Sequence, residues 1–294
     1  MSYYIYHIKK ILHHEYTQVK LQELISFRIW NSTENKFKID ELSFIPTMLT
    51  PEEKKMLVWL TQFYYTGEGE IVDLGSFLGG STIHLSHGLS KNKLDVKEKR
   101  VHAYDRFKLD KHHIEKWLTK NKINYTSSDV FPLVKEMLKD YNKYINFNQG
   151  DFTNSNSFQK PIEILFIDIS KTWELSDVIV KNFFSQLIPG KSIVIQQDML
   201  YVNCPWVHAV MFRLKDYFKL ISYTEQNSVI FLNTAKIGKE AVNWVLQEKF
   251  TYRDIINSLD HYIDAIPYFK AQEMLQECKN RVIKNPKATK SWEL

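Results

Sequence analysis

The sequence predicts an α/β protein built on a doubly wound, three-layer sheet. Three observations carry this expectation. Residues 71–81, Ile-Val-Asp-Leu-Gly-Ser-Phe-Leu-Gly-Gly-Ser, read as a buried strand, a tight glycine turn and the first turn of a helix. Short apolar runs then alternate with helix-length stretches as far as Leu214, the rhythm of a parallel sheet with helical crossovers. Last, two strand-like segments, Lys219–Thr224 and Ser228–Leu232, are separated only by Glu225-Gln226-Asn227. That gap is too short for a parallel crossover, so the pair must be an antiparallel hairpin.

Taken in order, residues 1–30 read as amphipathic helix, with Ile8, Ile11 and Leu12 on one face and Leu21, Leu24 and Ile25 on another. A polar loop, 31–38, follows. Thr50 can cap the next helix, Pro51 fits its first position and Glu53 completes capping-box spacing. That helix stops at Gly67 and leads into the opening strand. In the glycine loop, Gly75, Gly79 and Gly80 let the backbone approach a ligand, and Ser81 and Thr82 sit where unpaired helix N–H groups attract an anion. Asp73 reads either as a cap for this loop or as a ligand contact. Residues 100–104 form a second strand ending at Asp105. Helices over 111–120 and 130–144 precede a third strand, 145–148, closed by Gly150-Asp151-Phe152. Ile162–Ile167 is continuously apolar, as in a strand buried on both faces, and ends at Asp168. A helix over 173–187 stops at Pro189-Gly190, and a fifth strand, 192–195, ends in Gln196-Gln197-Asp198. Pro205 opens a helix with Val207, Val210, Met211 and Leu214 inward. After the hairpin come helices over 240–250, 251–264 and 268–282, then a tail, 284–294, expected to fray. Three units result: a helical extension at 1–49, a ligand-binding sheet domain at 50–236 and a helical extension at 237–294.

Composition narrows the function classes. The 294 residues carry a net charge of +5 spread along the chain, with no basic stripe of the kind nucleic-acid binders show. Two cysteines, Cys204 and Cys278, give no disulfide framework and suit a reducing, cytoplasmic setting. His7, Lys9 and Lys10 interrupt the N-terminal stretch, and no apolar run is long enough to span a bilayer.

These motifs together resemble class I S-adenosylmethionine-dependent methyltransferases. The residues concerned are 72–81, Asp105, Gly150-Asp151-Phe152, Phe166-Ile167-Asp168, Pro189-Gly190 and the closing hairpin, spanning about 70–233. The glycine loop is most similar to that of small cation-dependent, catechol-type O-methyltransferases, and also to that of macrocin-type sugar O-methyltransferases. The resemblance implies a seven-stranded sheet in the order 3-2-1-4-5-7-6 with strand 7 antiparallel. It also implies that Gly75, Ser76 and Gly79 line S-adenosylmethionine, that Ser81 meets its carboxylate and that Asp168 borders it. Asp105 would bond the ribose hydroxyls and Asp151 the adenine amino group, with Phe152 packed on the adenine.

Catechol-type enzymes carry Asp-x-x-Lys after strand 4, matched here by Asp168-Ile169-Ser170-Lys171, and Asp-Asn after strand 5, where this chain has Gln197-Asp198. By that resemblance Asp168, Gln197 and Asp198 would hold Mg²⁺ and Lys171 would be the base, its pKa depressed by metal and burial. At strand 5, Gln196-Gln197-Asp198 stands where these enzymes have Asp-Asn or Asp-Asp, so the resemblance leaves open whether the metal binds. The implied activity is methyl transfer to an oxygen of a small molecule, such as a sugar or natural-product hydroxyl. A catalytically silent binding or assembly module on the same fold is the alternative. A nicotinamide oxidoreductase is disfavoured, because the loop lacks Gly-x-Gly-x-x-Gly. The helical extensions would serve as a lid, a substrate wall or a homodimer contact.

Overall fold

A computed structural model describes residues 17–32, 37, 39–94 and 98–294. The expected helix face at Ile8, Ile11 and Leu12 lies outside the described residues. Seven strands, β1 (Glu70–Leu74), β2 (Val101–Asp105), β3 (Ile145–Gln149), β4 (Ile162–Ile167), β5 (Ile193–Gln196), β6 (Phe218–Tyr223) and β7 (Val229–Asn233), form one sheet. Its order is β3-β2-β1-β4-β5-β7-β6, with β7 antiparallel to both neighbours. This is the order the resemblance implied.

The helices are α1 (Gln18–Ser26), α2 (Pro51–Trp59), α3 (Gly80–Ser90), α4 (Lys111–His113), α5 (Phe131–Met137), α6 (Trp173–Phe183), α7 (Pro205–Arg213), α8 (Lys239–Trp244), α9 (Tyr252–Ala265) and α10 (Phe269–Lys284). They cover both faces of the sheet, because its strands are apolar on both sides. Val72, Leu74, Val194 and Phe231 pack with α6, α7, α9 and α10, whereas Ile71, Phe166, Ile195 and Ile230 pack with α1, α2 and α3. Leu21, Leu24 and Ile25 of α1 and Leu259, Leu275 and Cys278 of the C-terminal helices are buried in these same two cores. Among the described residues no helix is long and apolar enough to cross a membrane.

Several ends differ from the sequence expectation. α2 continues as a π-helical turn over Leu60–Tyr64, and the helices expected over 130–144 and 240–250 break after Met137 and Trp244 into 3₁₀ turns. The tail does not fray. Thr172 and Lys290 form an antiparallel bridge, flanked by the Trp173 N–H donating to the Thr289 carbonyl and the Ser291 N–H donating to the Lys171 carbonyl, both at 2.9 Å. Backbone pairing to a distant loop holds this segment, and local composition does not encode it.

The capping box at α2 forms as its spacing predicts. The Glu53 N–H donates to Thr50 Oγ1 at 3.2 Å and the Thr50 N–H to Glu53 Oε2 at 2.9 Å. Glu53 is fully buried and also accepts from the Ser228 hydroxyl at 2.6 Å, tying the helix start to the β6–β7 turn. Thr50→Ala is therefore expected to cost about 1 kcal/mol. A lower urea midpoint at unchanged slope would show it.

Candidate functional site

β1 lies between β2 and β4, so the chain leaves it in one direction for β2 and returns on the other side at β4. Such a switch point opens a crevice beyond the carboxyl ends of the strands. Leu74 pairs with Tyr104 on one side and Ile167 on the other, which brings Asp105 and Asp168 to one rim, flanking Gly75. The Gly75 N–H donates to the Tyr104 carbonyl at 2.9 Å and the Asp168 N–H to the Leu74 carbonyl at 2.8 Å.

Gly75 has φ +100°, and a Cβ there would lie 2.5 Å from the Asp168 carbonyl oxygen. Gly79 has φ +90° and packs against Leu138, so its lack of a side chain serves the approach of the loop to the 131–144 segment. Beyond it the amides of Gly80, Ser81 and Thr82 occupy the first turn of α3, where no intrahelical acceptor exists. The Ser81 hydroxyl donates to Asp73 Oδ2 at 2.9 Å and the Thr82 hydroxyl to the same oxygen at 2.5 Å. Thr82 also pairs with the Ser76 hydroxyl at 2.6 Å. Ser81 therefore has its backbone amide, and not its hydroxyl, free to meet an anion.

Asp73 is completely buried and its Oδ1 has no partner. Burial pushes its carboxyl from 3.8 up to about 7, against the pull of the Thr82 and Ser81 hydroxyls. Because the folded value exceeds the unfolded one, its stabilising contribution is full below the unfolded value and is lost as pH rises through about 7. Between about pH 4 and pH 8, wild type is thus expected to lose stability relative to Asp73→Asn. Parallel urea titrations of both proteins check this, and identical pH slopes would refute it.

Asp105 is pinned by backbone. The Phe77 N–H donates to its Oδ2 at 2.9 Å and the Phe107 N–H to its Oδ1 at 2.6 Å. Both donors are non-glycine residues in the left-handed region, Phe77 at φ +52° and Phe107 at φ +50°. Strain of this kind persists only where surroundings enforce it, and it clusters at ligand sites. Each carboxylate oxygen keeps a lone pair for a further donor. Burial raises the Asp105 carboxyl while these amides pull it down.

A crevice of about 470 Å³ opens beside Asp105. Tyr104, Asp105, Asn148, Asp151, Phe152 and Ser157 are among the residues that line it. That volume lies within the range of small-molecule pockets. Asp151 is exposed, and its Oδ1 accepts from the Thr153 N–H at 3.1 Å and hydroxyl at 2.8 Å, which lowers its carboxyl. Phe152 is buried and stacks on Phe183 with ring centroids 5.7 Å apart, so only part of it borders the crevice. Gly75, Ser76, Gly79, Ser81 and Asp168 are not among its lining residues. The 154–159 segment, rich in Asn and Ser, was not singled out in the sequence, although its polar run between two strands was visible there.

On the other side of Gly75, four side chains converge. Lys171 Nζ is 3.4 Å from Asp168 Oδ1 and makes a shorter contact with Asp198 Oδ1. With the Gln197 carboxamide oriented to satisfy its neighbours, Nε2 donates to Asp168 Oδ1 at 2.9 Å and to Asp198 Oδ1 at 3.1 Å. Asp168 is the more exposed carboxylate, with 16% of its side chain accessible against 5% for Asp198. Asp198 Oδ2 is buried with no partner. Burial and the nearby Asp198 raise the Asp168 carboxyl against the pull of Lys171. For Lys171, burial disfavours the charge, but Asp198 and Asp168 outweigh it and raise the ammonium. The expectation of a depressed lysine is thereby reversed, because the side chain reaches both acids. Tyr201, not singled out in the sequence, places its ring 5.7 Å from Lys171 Nζ. The Trp206 indole donates to the Ser170 carbonyl at 2.7 Å and so shapes this loop from inside.

The oxygen ligands expected for Mg²⁺ do not fit that ion as arranged. An ammonium lies between the two acids, and the Gln197 carboxamide, in the orientation assigned from these neighbours, turns its donors toward them. Among the described residues no group of three His, Cys, Asp or Glu side chains is placed to hold a metal.

The architecture is the methyltransferase fold. No protein family and no curated protein matches the sequence. Among solved structures, the chain is similar to CalS11, a calicheamicin methyltransferase, at 12% identity and a TM-score of 0.50, covering 75% of this chain and 94% of that one. The O-methyltransferase NovP gives 16% identity and a TM-score of 0.49, covering 74% and 98%. The O-methyltransferase from Bacillus cereus in complex with SAH gives 13% and 0.42, covering 74% and 100%. At these identities the likeness is one of fold.

Proposed function

We propose that this chain transfers a methyl group from S-adenosylmethionine to an oxygen of a small molecule, such as a sugar or natural-product hydroxyl. The observation that carries this reading is the shared rim: Asp105 and Asp168 flank Gly75 at the switch point, with a crevice on one side and a charged cluster on the other. The residues present fit the cofactor. Asp105 offers two oxygens to the ribose hydroxyls, and Asp151 and Phe152 border the crevice that would take adenine. Gly75 and Ser76 carry the loop past the ligand, and Gly79 sets the start of α3, whose first amides, Ser81 included, suit a carboxylate. The orphaned Asp73 Oδ1 suits an ammonium donor. When bound, the cofactor supplies an electrophilic methyl group on a sulfonium.

The chain's own part is positioning and proton transfer. Asp168 and Lys171 form the acceptor pole. Lys171 donates a hydrogen bond to the acceptor oxygen, and Asp168, the more exposed carboxylate, receives the hydroxyl proton as that oxygen becomes nucleophilic. Tyr201 walls the pole beside Lys171. The two buried free cysteines suit a reducing compartment such as the cytoplasm.

Isothermal titration with S-adenosylmethionine, followed by mass spectrometry of hydroxyl acceptors, tests the reading. One site per chain and a 14-dalton gain on an acceptor, the mass of one methyl replacing one hydrogen at about one transfer per acceptor, are expected. Absence of binding to both the cofactor and its demethylated product would overturn it.

A further inference from the structure

The Asp168–Lys171–Gln197–Asp198 cluster has a feature that methyl transfer does not require. β4 and β5 are adjacent and parallel, with Ile167 paired to Gln196, so the acids that follow them emerge side by side. Left alone, two such carboxylates would repel each other and attract a cation. Their Oδ1 atoms face one point, and protein groups fill it. Lys171 Nζ contacts both oxygens, and Gln197 Nε2 donates to both at 2.9 and 3.1 Å. Tyr201 covers the ammonium on another side with its ring.

The lysine is held there by its backbone as well as its charge. Its carbonyl accepts the Ser291 N–H, and the adjoining Thr172 pairs with Lys290. Thr172 also caps α6 through the Leu175 N–H at 3.1 Å. The segment is therefore fixed on both sides, and Nζ reaches the acids from a set position. A hard divalent cation in the same place would want about six oxygen ligands. It would find two carboxylates, an amide turned to its donor face and a positive charge already seated.

We propose that Lys171 is the resident cation of this pole, its ammonium standing between Asp168 and Asp198 where a divalent metal would otherwise sit, so that the site takes no metal while the lysine is present. The inference concerns the acceptor pole and stands apart from the identity of the methyl donor. It predicts that removing the ammonium uncovers a cation site, because the two acids remain and lose their counter-charge.

Manganese binding to the full-length apo protein, followed by electron paramagnetic resonance of free Mn²⁺, reads this directly. Wild type is expected to leave Mn²⁺ free at millimolar concentrations. Lys171→Ala should bind one Mn²⁺ per chain at least about tenfold more tightly than wild type, and adding Asp198→Asn should remove that gain. Thermal melts establish that each variant is folded, and Lys171→Gln serves should the alanine variant not fold. Two results would overturn the proposal: stoichiometric Mn²⁺ binding by wild type that Asp168→Asn abolishes, or a folded lysine variant with no gain over wild type. The assay needs neither cofactor nor acceptor, so its failure is distinguishable from failure of the methyl-transfer reading.

Discussion

Asp105→Ala is expected to weaken S-adenosylmethionine binding by at least about 100-fold. Hydrogen bonds to a charged acceptor contribute about 1.5–3 kcal/mol each, and two ribose hydroxyls would lose theirs, where about 1.4 kcal/mol is a factor of ten. A second effect adds to this. The carboxylate holds the Phe77 and Phe107 amides, and both residues sit in left-handed backbone that a free loop would leave. Without the acid, the glycine loop and the segment after β2 can relax away from binding geometry. Asp105→Asn separates the two effects, because its carbonyl oxygen still accepts one amide bond. It is expected to lose about tenfold, between wild type and the alanine variant. Calorimetric titration alongside thermal melts checks this. A folded Asp105→Ala protein with unchanged affinity would remove Asp105 from the site.

Gly75→Ala should destabilise the fold by roughly 3 kcal/mol or more. Left-handed backbone costs a non-glycine residue about 1–2 kcal/mol. The larger part is steric: the new Cβ would lie 2.5 Å from the Asp168 carbonyl oxygen and 2.8 Å from its carbon. Both atoms are backbone at the end of a central strand, so relief requires β1 and β4 to separate at the rim. Gly190 supplies the control. It also has positive φ, +77°, but nothing lies within 4 Å of its missing Cβ. Gly190→Ala should therefore show only that backbone cost, about 1–2 kcal/mol. Chemical denaturation of both variants makes the comparison, and equal losses would mean that close approach is not what Gly75 is for.

Much of the fold was readable because its signals are local. The strand–glycine–helix unit, the continuous apolar run of β4 and the three-residue gap before β7 each follow from short-range sterics or chain length. So does the capping box at Thr50 and Glu53, which forms as spaced. Asp105 and Asp168 were readable as rim residues because one ends and the other directly follows a strand of a parallel sheet. What the sequence could not show depends on distances between remote segments. The Lys290–Thr172 bridge turns an unremarkable tail into a strap, and no periodicity marks it. The reach of Lys171 to Asp198, across 27 positions, reverses the direction of its pKa from that expected. The side of the Gln197 carboxamide that faces the acids is set by those acids, and its own position in the chain does not reveal it. Phe152 and Ser81 were identified by place, yet much of the ring of one and the hydroxyl of the other are committed to Phe183 and Asp73.

A crystal structure with S-adenosylhomocysteine bound tests the central claim most directly. The ribose hydroxyls should lie within hydrogen-bonding distance of Asp105, with the adenine in the crevice between Tyr104 and Asp151 and the sulfur turned toward Asp168 and Lys171. Nucleoside density elsewhere on the surface, or a ribose that does not touch Asp105 in a fully occupied complex, would contradict it.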